Sequence, residues 1–125
     1  MSMCTTTVPH TALGAREARN RVAHLLSGRC GLSTIETAAL LTGELATNAV
    51  LHADPPVHLR AEITDVLVRV EMHDSGSGTL PAPRKTRTTD RGGRGLALVE
   101  ALASRWGTER TDAGTLVWFE LSYRQ

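Results

Sequence analysis

Glu44 and Asn48 stand one helical turn apart in Glu44-Leu45-Ala46-Thr47-Asn48-Ala49-Val50-Leu51-His52, a stretch that reads as helix. Residues four apart share a helical face, so a carboxylate and a carboxamide point the same way. The carboxylate can take a proton from an attacking hydroxyl or water. The amide oxygen is a neutral ligand of the kind Mg accepts, and Mg commonly shares its shell with substrate phosphates. The neighbouring alanines leave room against the helix. Two glycine-rich segments follow, Asp74-Ser75-Gly76-Ser77-Gly78 and Gly92-Gly93-Arg94-Gly95-Leu96. An amide, a potential base and two glycine loops in that order point to a site for a Mg-bound nucleotide.

Asp74 ends an apolar strand and precedes Gly76 and Gly78, where the backbone can turn and approach a flat base closely. A carboxylate there can accept a hydrogen bond from the amino group of adenine. Gly93-Arg94-Gly95 leads into an apolar helix, and free amides at a helix start favour phosphate. Arg94 adds a positive contact. Arg84, Lys85, Arg87 and Arg91 decorate an aperiodic stretch, about 79–91, that is long for a loop in a compact domain and can close as a lid. Each feature has a plain reading when taken alone: a solvated helix face, an Asp-Ser-Gly turn, a packing glycine, a charged surface. The glycines at 76 and 78 do not open a helix, so no Rossmann unit is present, and the second glycine segment lacks the lysine and hydroxyl of a P-loop.

The elements that must position these residues alternate in type. An edge strand is expected over residues 4–10, ended by Pro9. Ala15, Ala18, Val22, Leu25 and Leu26 recur at helical spacing, with Gly28 and Gly31 beyond them. Ser33 and Glu36 match a capping box for the next helix, which runs to about His52 and stops before Asp54-Pro55-Pro56. Val57 to Ile63 and Val66 to Met72 alternate as a hairpin about Thr64-Asp65. A third helix is expected over about Arg94 to Ala103, then strands over 104–110 and 115–122. Trp106 and Trp118 are expected in the core. The pattern is α+β, a two-layer sandwich with three helices on one face of a mostly antiparallel sheet, in a single domain over 1–125.

Composition narrows the function. The chain has 125 residues, 41 % hydrophobic and 22 % charged, as a soluble globular domain has. A net charge of +1 and 3 % aromatics argue against a dedicated nucleic-acid binder. No apolar run approaches the roughly 18 residues of a membrane span, and the N-terminus has no signal-peptide pattern. Cys4 and Cys30 form no CxxC pair and read as reduced thiols. Cytoplasmic location follows as the expectation.

Taken together, these residues resemble the Bergerat-type (GHKL) ATP-binding fold of gyrase, histidine kinases and MutL. Within it the chain is most similar to the small serine-kinase anti-sigma factors of the SpoIIAB and RsbW type. Glu44 to His52 looks like the family's N box, Asp74 to Gly78 its DxGxG box, and Gly92 to Leu98 its second glycine box. The resemblance implies that Asn48 holds Mg and Glu44 is the general base. It implies that Asp74 reads adenine beside Gly76 and Gly78, and that Gly93, Arg94, Gly95 and Leu96 hold phosphates. It likens Thr115 to a threonine that assists adenine binding. An arginine on the first helix engages partners in the family; Arg19 is the nearest match and Arg16 competes. The residues before the hairpin leave no room for a phosphoacceptor helix pair, so a self-contained histidine kinase is not expected. The implied function is an ATP-dependent serine/threonine protein kinase that is also an anti-sigma factor. Its implied partners are a sigma factor and a serine-bearing antagonist, with homodimerisation a further expectation. The alternative is a non-catalytic ATP-binding interaction module gated by nucleotide.

Overall fold

The computed structural model describes residues 1–76 and 91–123. Five strands and three helices follow one another as β1 (Ser2–Val8), α1 (Gly14–Leu26), α2 (Leu32–His52), β2 (Val57–Ile63), β3 (Leu67–Asp74), α3 (Arg91–Leu102), β4 (Arg105–Thr111) and β5 (Gly114–Ser122). The strands form one sheet in the order β1-β2-β3-β5-β4, antiparallel at every pairing. The expected α+β class is therefore observed, with the sheet antiparallel throughout its described strands.

Period-two burial makes one sheet face the floor of the core. Val57, Leu59, Ala61 and Ile63 of β2, Val68, Val70 and Met72 of β3, and Val117, Phe119 and Leu121 of β5 are buried. On α1 the stripe is Ala18, Val22, Leu25 and Leu26; on α2 it is Ala38, Leu41, Leu45, Ala46 and Ala49. The central helix, α2, packs against both α1 and α3. Phe119 is fully buried at the centre, and truncation to alanine would cost about 3–5 kcal/mol.

Several expectations are corrected. The edge strand lies two residues earlier than expected, because β1 pairs along all of β2, from Ser2 opposite Ile63 to Val8 opposite Val57. The capping box at Ser33 is not formed: the N-cap of α2 is Gly31 and no side chain caps it. Val66 is exposed in the turn and not in β3, because Thr64 closes that turn through its backbone and hydroxyl onto Leu67. The third helix starts at Arg91, three residues before the expected position.

Trp118 is a further correction. Trp106 is half-buried against the core, but Trp118 lies on the opposite sheet face, since it alternates with Val117 and Phe119. The Arg69 guanidinium stacks 4.2 Å from its ring centroid and bonds Glu71 at 2.8 Å and Glu120 at 2.9 Å. The ring crosses β4 at Gly107, where a Cβ would meet it at 2.9 Å. Arg60 and His73 also pair with Glu71, so this face is a lattice of matched charges.

Candidate functional site

The pleat of β3 puts Asp74 on the helix-facing side, last in the row Val68, Val70, Met72, Asp74. Its cross-strand neighbours are Val57 on β2 and Thr115 on β5. The Thr115 hydroxyl, 5 % exposed, donates to Asp74 Oδ2 at 2.6 Å. The Gly76 amide donates to Oδ1 at 2.6 Å. Such short charge-assisted bonds fix the plane of the carboxylate. Each oxygen keeps accepting capacity for a ligand.

The backbone around Asp74 is clamped on two sides. Ser75 Oγ donates to the Pro55 carbonyl at 3.1 Å, tying the β3 exit to the loop after α2. On the other side Gly114 backs onto the Asp74 carbonyl so closely that a Cβ would stand 1.9 Å from it. With φ at +149°, Gly114 also holds a backbone conformation that other residues resist.

Glu44, Thr47 and Asn48 are half-buried on α2, whose C-terminal end feeds the loop that meets Ser75. Among the described residues, neither Glu44 nor Asn48 has a side-chain hydrogen-bond or ion-pair partner. The contrast with Arg69, Glu71 and Glu120 on the far face is informative. There each charge is matched within the protein, whereas the α2 pair has no such match among the described residues. Arg19 runs across α2 at Gly43, where a Cβ would stand 2.9 Å from Arg19 Cδ. Gly43 thus lets an arginine stem lie flat on the helix next to Glu44. Arg16 is exposed on α1.

Gly93, Arg94 and Gly95 belong to the start of α3 and not to a free loop ahead of it. The first four amides of a helix have no intrahelical acceptor, so those of Gly93 and Arg94 fall within the unpaired first turn and that of Gly95 just beyond it. Leu96 is 2 % exposed and packs in the core, so any contact it makes with a ligand runs through its backbone. Gly78 and the expected lid lie outside the described residues, apart from Arg91 at the head of α3. Among the described residues no group of three or more His, Cys, Asp or Glu forms a metal cage.

Three residues at the Asp74 end escaped the sequence reading. Ser75 and Gly114 looked like turn residues, and Asp54 looked like a helix stop. The pairing of β3 with β5 brings Gly114 to Asp74, and the bond from Ser75 to Pro55 brings in the loop that carries Asp54.

A two-layer domain that fixes a carboxylate at a strand end, with an amide and a carboxylate on its central helix that have no partner among the described residues, belongs with the Bergerat-type ATP-binding folds. Residues 8–121 match the histidine kinase-like ATPase domain, and the chain belongs to that family. Among solved structures it is similar to the RsbU and RsbW domains of Rv1364c from Mycobacterium tuberculosis. That match has 22 % identity and a TM-score of 0.72, over 97 % of this chain and 32 % of that one. It is also similar to the histidine kinase domain of the blue-light activated histidine kinase EL346 from Erythrobacter litoralis. There identity is 21 % and the TM-score 0.56, over 87 % of this chain and 59 % of that one. At these identities the likeness is one of fold, and the chain spans about a third of the mycobacterial protein. No curated protein matches it. No helix among the described residues is long and apolar enough to cross a membrane.

Proposed function

We propose that this chain is an ATP-dependent serine/threonine protein kinase and anti-sigma factor that acts by partner switching. Family membership supports ATP binding of the kinase-like class, and the RsbW-containing neighbour is the reason for preferring a protein substrate. The observation that carries the reading is the Asp74 carboxylate, oriented by Thr115 and Gly76, in a fold whose α2 carries Glu44 and Asn48 without partners among the described residues. Asp74 accepts from the adenine amino group. The amides at the head of α3, with Arg94, hold the phosphates. Mg suits Asn48: the side chain offers a neutral oxygen with no competing partner among the described residues, and it would hold the metal alongside phosphates and water. When bound, the metal neutralises charge on the phosphates. Glu44 takes the proton from a partner serine or threonine. Arg19, and Arg16 behind it, face the partner proteins, a sigma factor and its serine-bearing antagonist.

The test is co-purification of partners from the native host, then a phosphotransfer assay on what is captured. Glu44→Gln should keep nucleotide and partner binding while phosphotransfer falls by about 10²–10⁴-fold, the usual range for a general base. Partners that the wild type binds with ATP and never phosphorylates would leave a nucleotide-gated binding module in place of the kinase. Asp74→Asn should weaken ATP binding while the fold survives, because it replaces an acceptor-only group with one that also presents a donor.

A further inference from the structure

Asp54 lies in the loop after α2, outside every motif that marks the nucleotide site, and its side chain is exposed. Its carboxylate nonetheless reaches the Asp74 end. An ideal Cβ on Gly76 would stand 2.8 Å from Asp74 Oδ1 and 3.1 Å from Asp54 Oδ2. Two carboxylates, one at the end of β3 and one in the loop after α2, therefore flank one glycine, which stays open only because it has no side chain. The loop bearing Asp54 is held there by the Ser75 hydroxyl on the Pro55 carbonyl. Asp74 is satisfied by Gly76 and Thr115, whereas Asp54 has no hydrogen-bond or ion-pair partner among the described residues. Like charges brought together are unfavourable unless donor hydrogens come between them.

We propose that Asp54 is a second specificity-determining carboxylate at the base end of the site, accepting the hydrogen of the adenine amino group that Asp74 does not take. This rests on the ATP reading above. An exocyclic amino group carries two hydrogens, and a site with one carboxylate engages one of them. With Asp54 in place both find anionic acceptors. A base with a carbonyl oxygen at that position faces two negative groups and is rejected more strongly than by Asp74 alone. Asp54 also sits at the solvent edge, so it selects the base without enclosing it.

The test is calorimetric titration of the full chain with Mg and either ATP or purine riboside 5′-triphosphate, which lacks the exocyclic amino group. Asp54→Ala should weaken ATP roughly 3–10-fold, as befits a partly solvated bond to a charged acceptor, and leave the amino-free nucleotide within about twofold. Asp54→Asn keeps a neutral acceptor and should fall between Asp54→Ala and wild type. Equal losses for both nucleotides, or none for either, would overturn the inference and reduce Asp54 to a loop residue. The site reading would still stand on wild-type ATP binding and its loss in Asp74→Asn. A wild-type protein that binds neither nucleotide would overturn both.

Discussion

Gly114→Ala is the substitution on which the geometry of the site makes its sharpest demand. The new methyl would have to occupy space 1.9 Å from the Asp74 carbonyl oxygen, 2.7 Å from Ser75 Cα and 2.8 Å from the Asp74 carbonyl carbon. All three are backbone atoms, so no rotamer change relieves the overlap. The strands must part by more than 1 Å, roughly, and overpacking of this kind costs about 1–3 kcal/mol. The φ of +149° adds strain of about 1–3 kcal/mol for a residue with a Cβ. Together these predict a loss of about 2–6 kcal/mol, or roughly 8–24 °C in Tm for a domain of this size. Any relaxation moves Asp74 away from Thr115, so nucleotide affinity should fall with stability. Gly28→Ala is the internal control. Gly28 has φ of +76° with nothing within 4 Å of a Cβ, so it carries the conformational term without the collision. It should cost about 1 kcal/mol and leave binding unchanged. Urea melts and calorimetry on the two variants decide the matter. If Gly114→Ala lies within about 1 kcal/mol of Gly28→Ala and binds ATP like wild type, the close-approach reasoning is refuted.

Asn48→Ala should weaken ATP binding in Mg far more than in EDTA if the side chain acts through the metal as proposed; equal effects in both would assign it to the nucleotide directly. Burial alone would push the Glu71 carboxyl up, but bonds from Arg69 and His73, with their charge, outweigh it and hold Glu71 below the ordinary value of 4.5. Its folded form therefore contributes stability above that value and loses it as pH falls towards the lower folded one. Urea melts from pH 7 down to pH 3 should show Glu71→Gln less stable at neutral pH, with the gap to wild type closing below about pH 4.5. Thr42 is fully buried with an unpaired hydroxyl among the described residues. Thr42→Val should be neutral or stabilising by up to about 1 kcal/mol, and a loss of more than that would mean the hydroxyl has a partner.

Much of the fold was legible because the burial periods are clean. The row Val57, Leu59, Ala61, Ile63 can serve only one sheet face, and Val22, Leu25 and Leu26 only one helix stripe. What failed did so where local chemistry competes with pairing. Ser33 is a good cap by type, yet Gly31 takes the position with the extended backbone that a cap needs. Trp118 is apolar enough for a core, but strand register assigns its face, and Arg69 supplies the flat partner that makes the outer face acceptable. In the site, Asp74 and Thr115 were readable as types in motif order. Their hydrogen bond was not, because it depends on β3 and β5 being neighbours. Asp54 was missed for a different reason: the expected hairpin already brings the start of β2 to Asp74, but the path of Asp54-Pro55-Pro56 ahead of β2 is set by the Ser75–Pro55 bond, which no sequence pattern announces.

The sheet order also decides when during folding the protein can first hold its ligand. The hairpin of β2 and β3 closes locally, but β3 and β5 meet only after the chain has passed through α3 and β4. The Thr115–Asp74 bond joins residues 41 apart. Long-range pairings of this kind form slowly, because loop entropy is lost before contacts compensate for it. A nascent or partly unfolded chain can therefore carry α1, α2 and α3 and still lack the carboxylate that Thr115 orients. If ATP binds through the oriented Asp74, as proposed, it binds the closed sheet alone, and each increase in ATP above its dissociation constant draws the population towards that sheet by mass action. For a small domain of ordinary stability, the nucleotide concentration around it becomes part of what keeps its last strand in place.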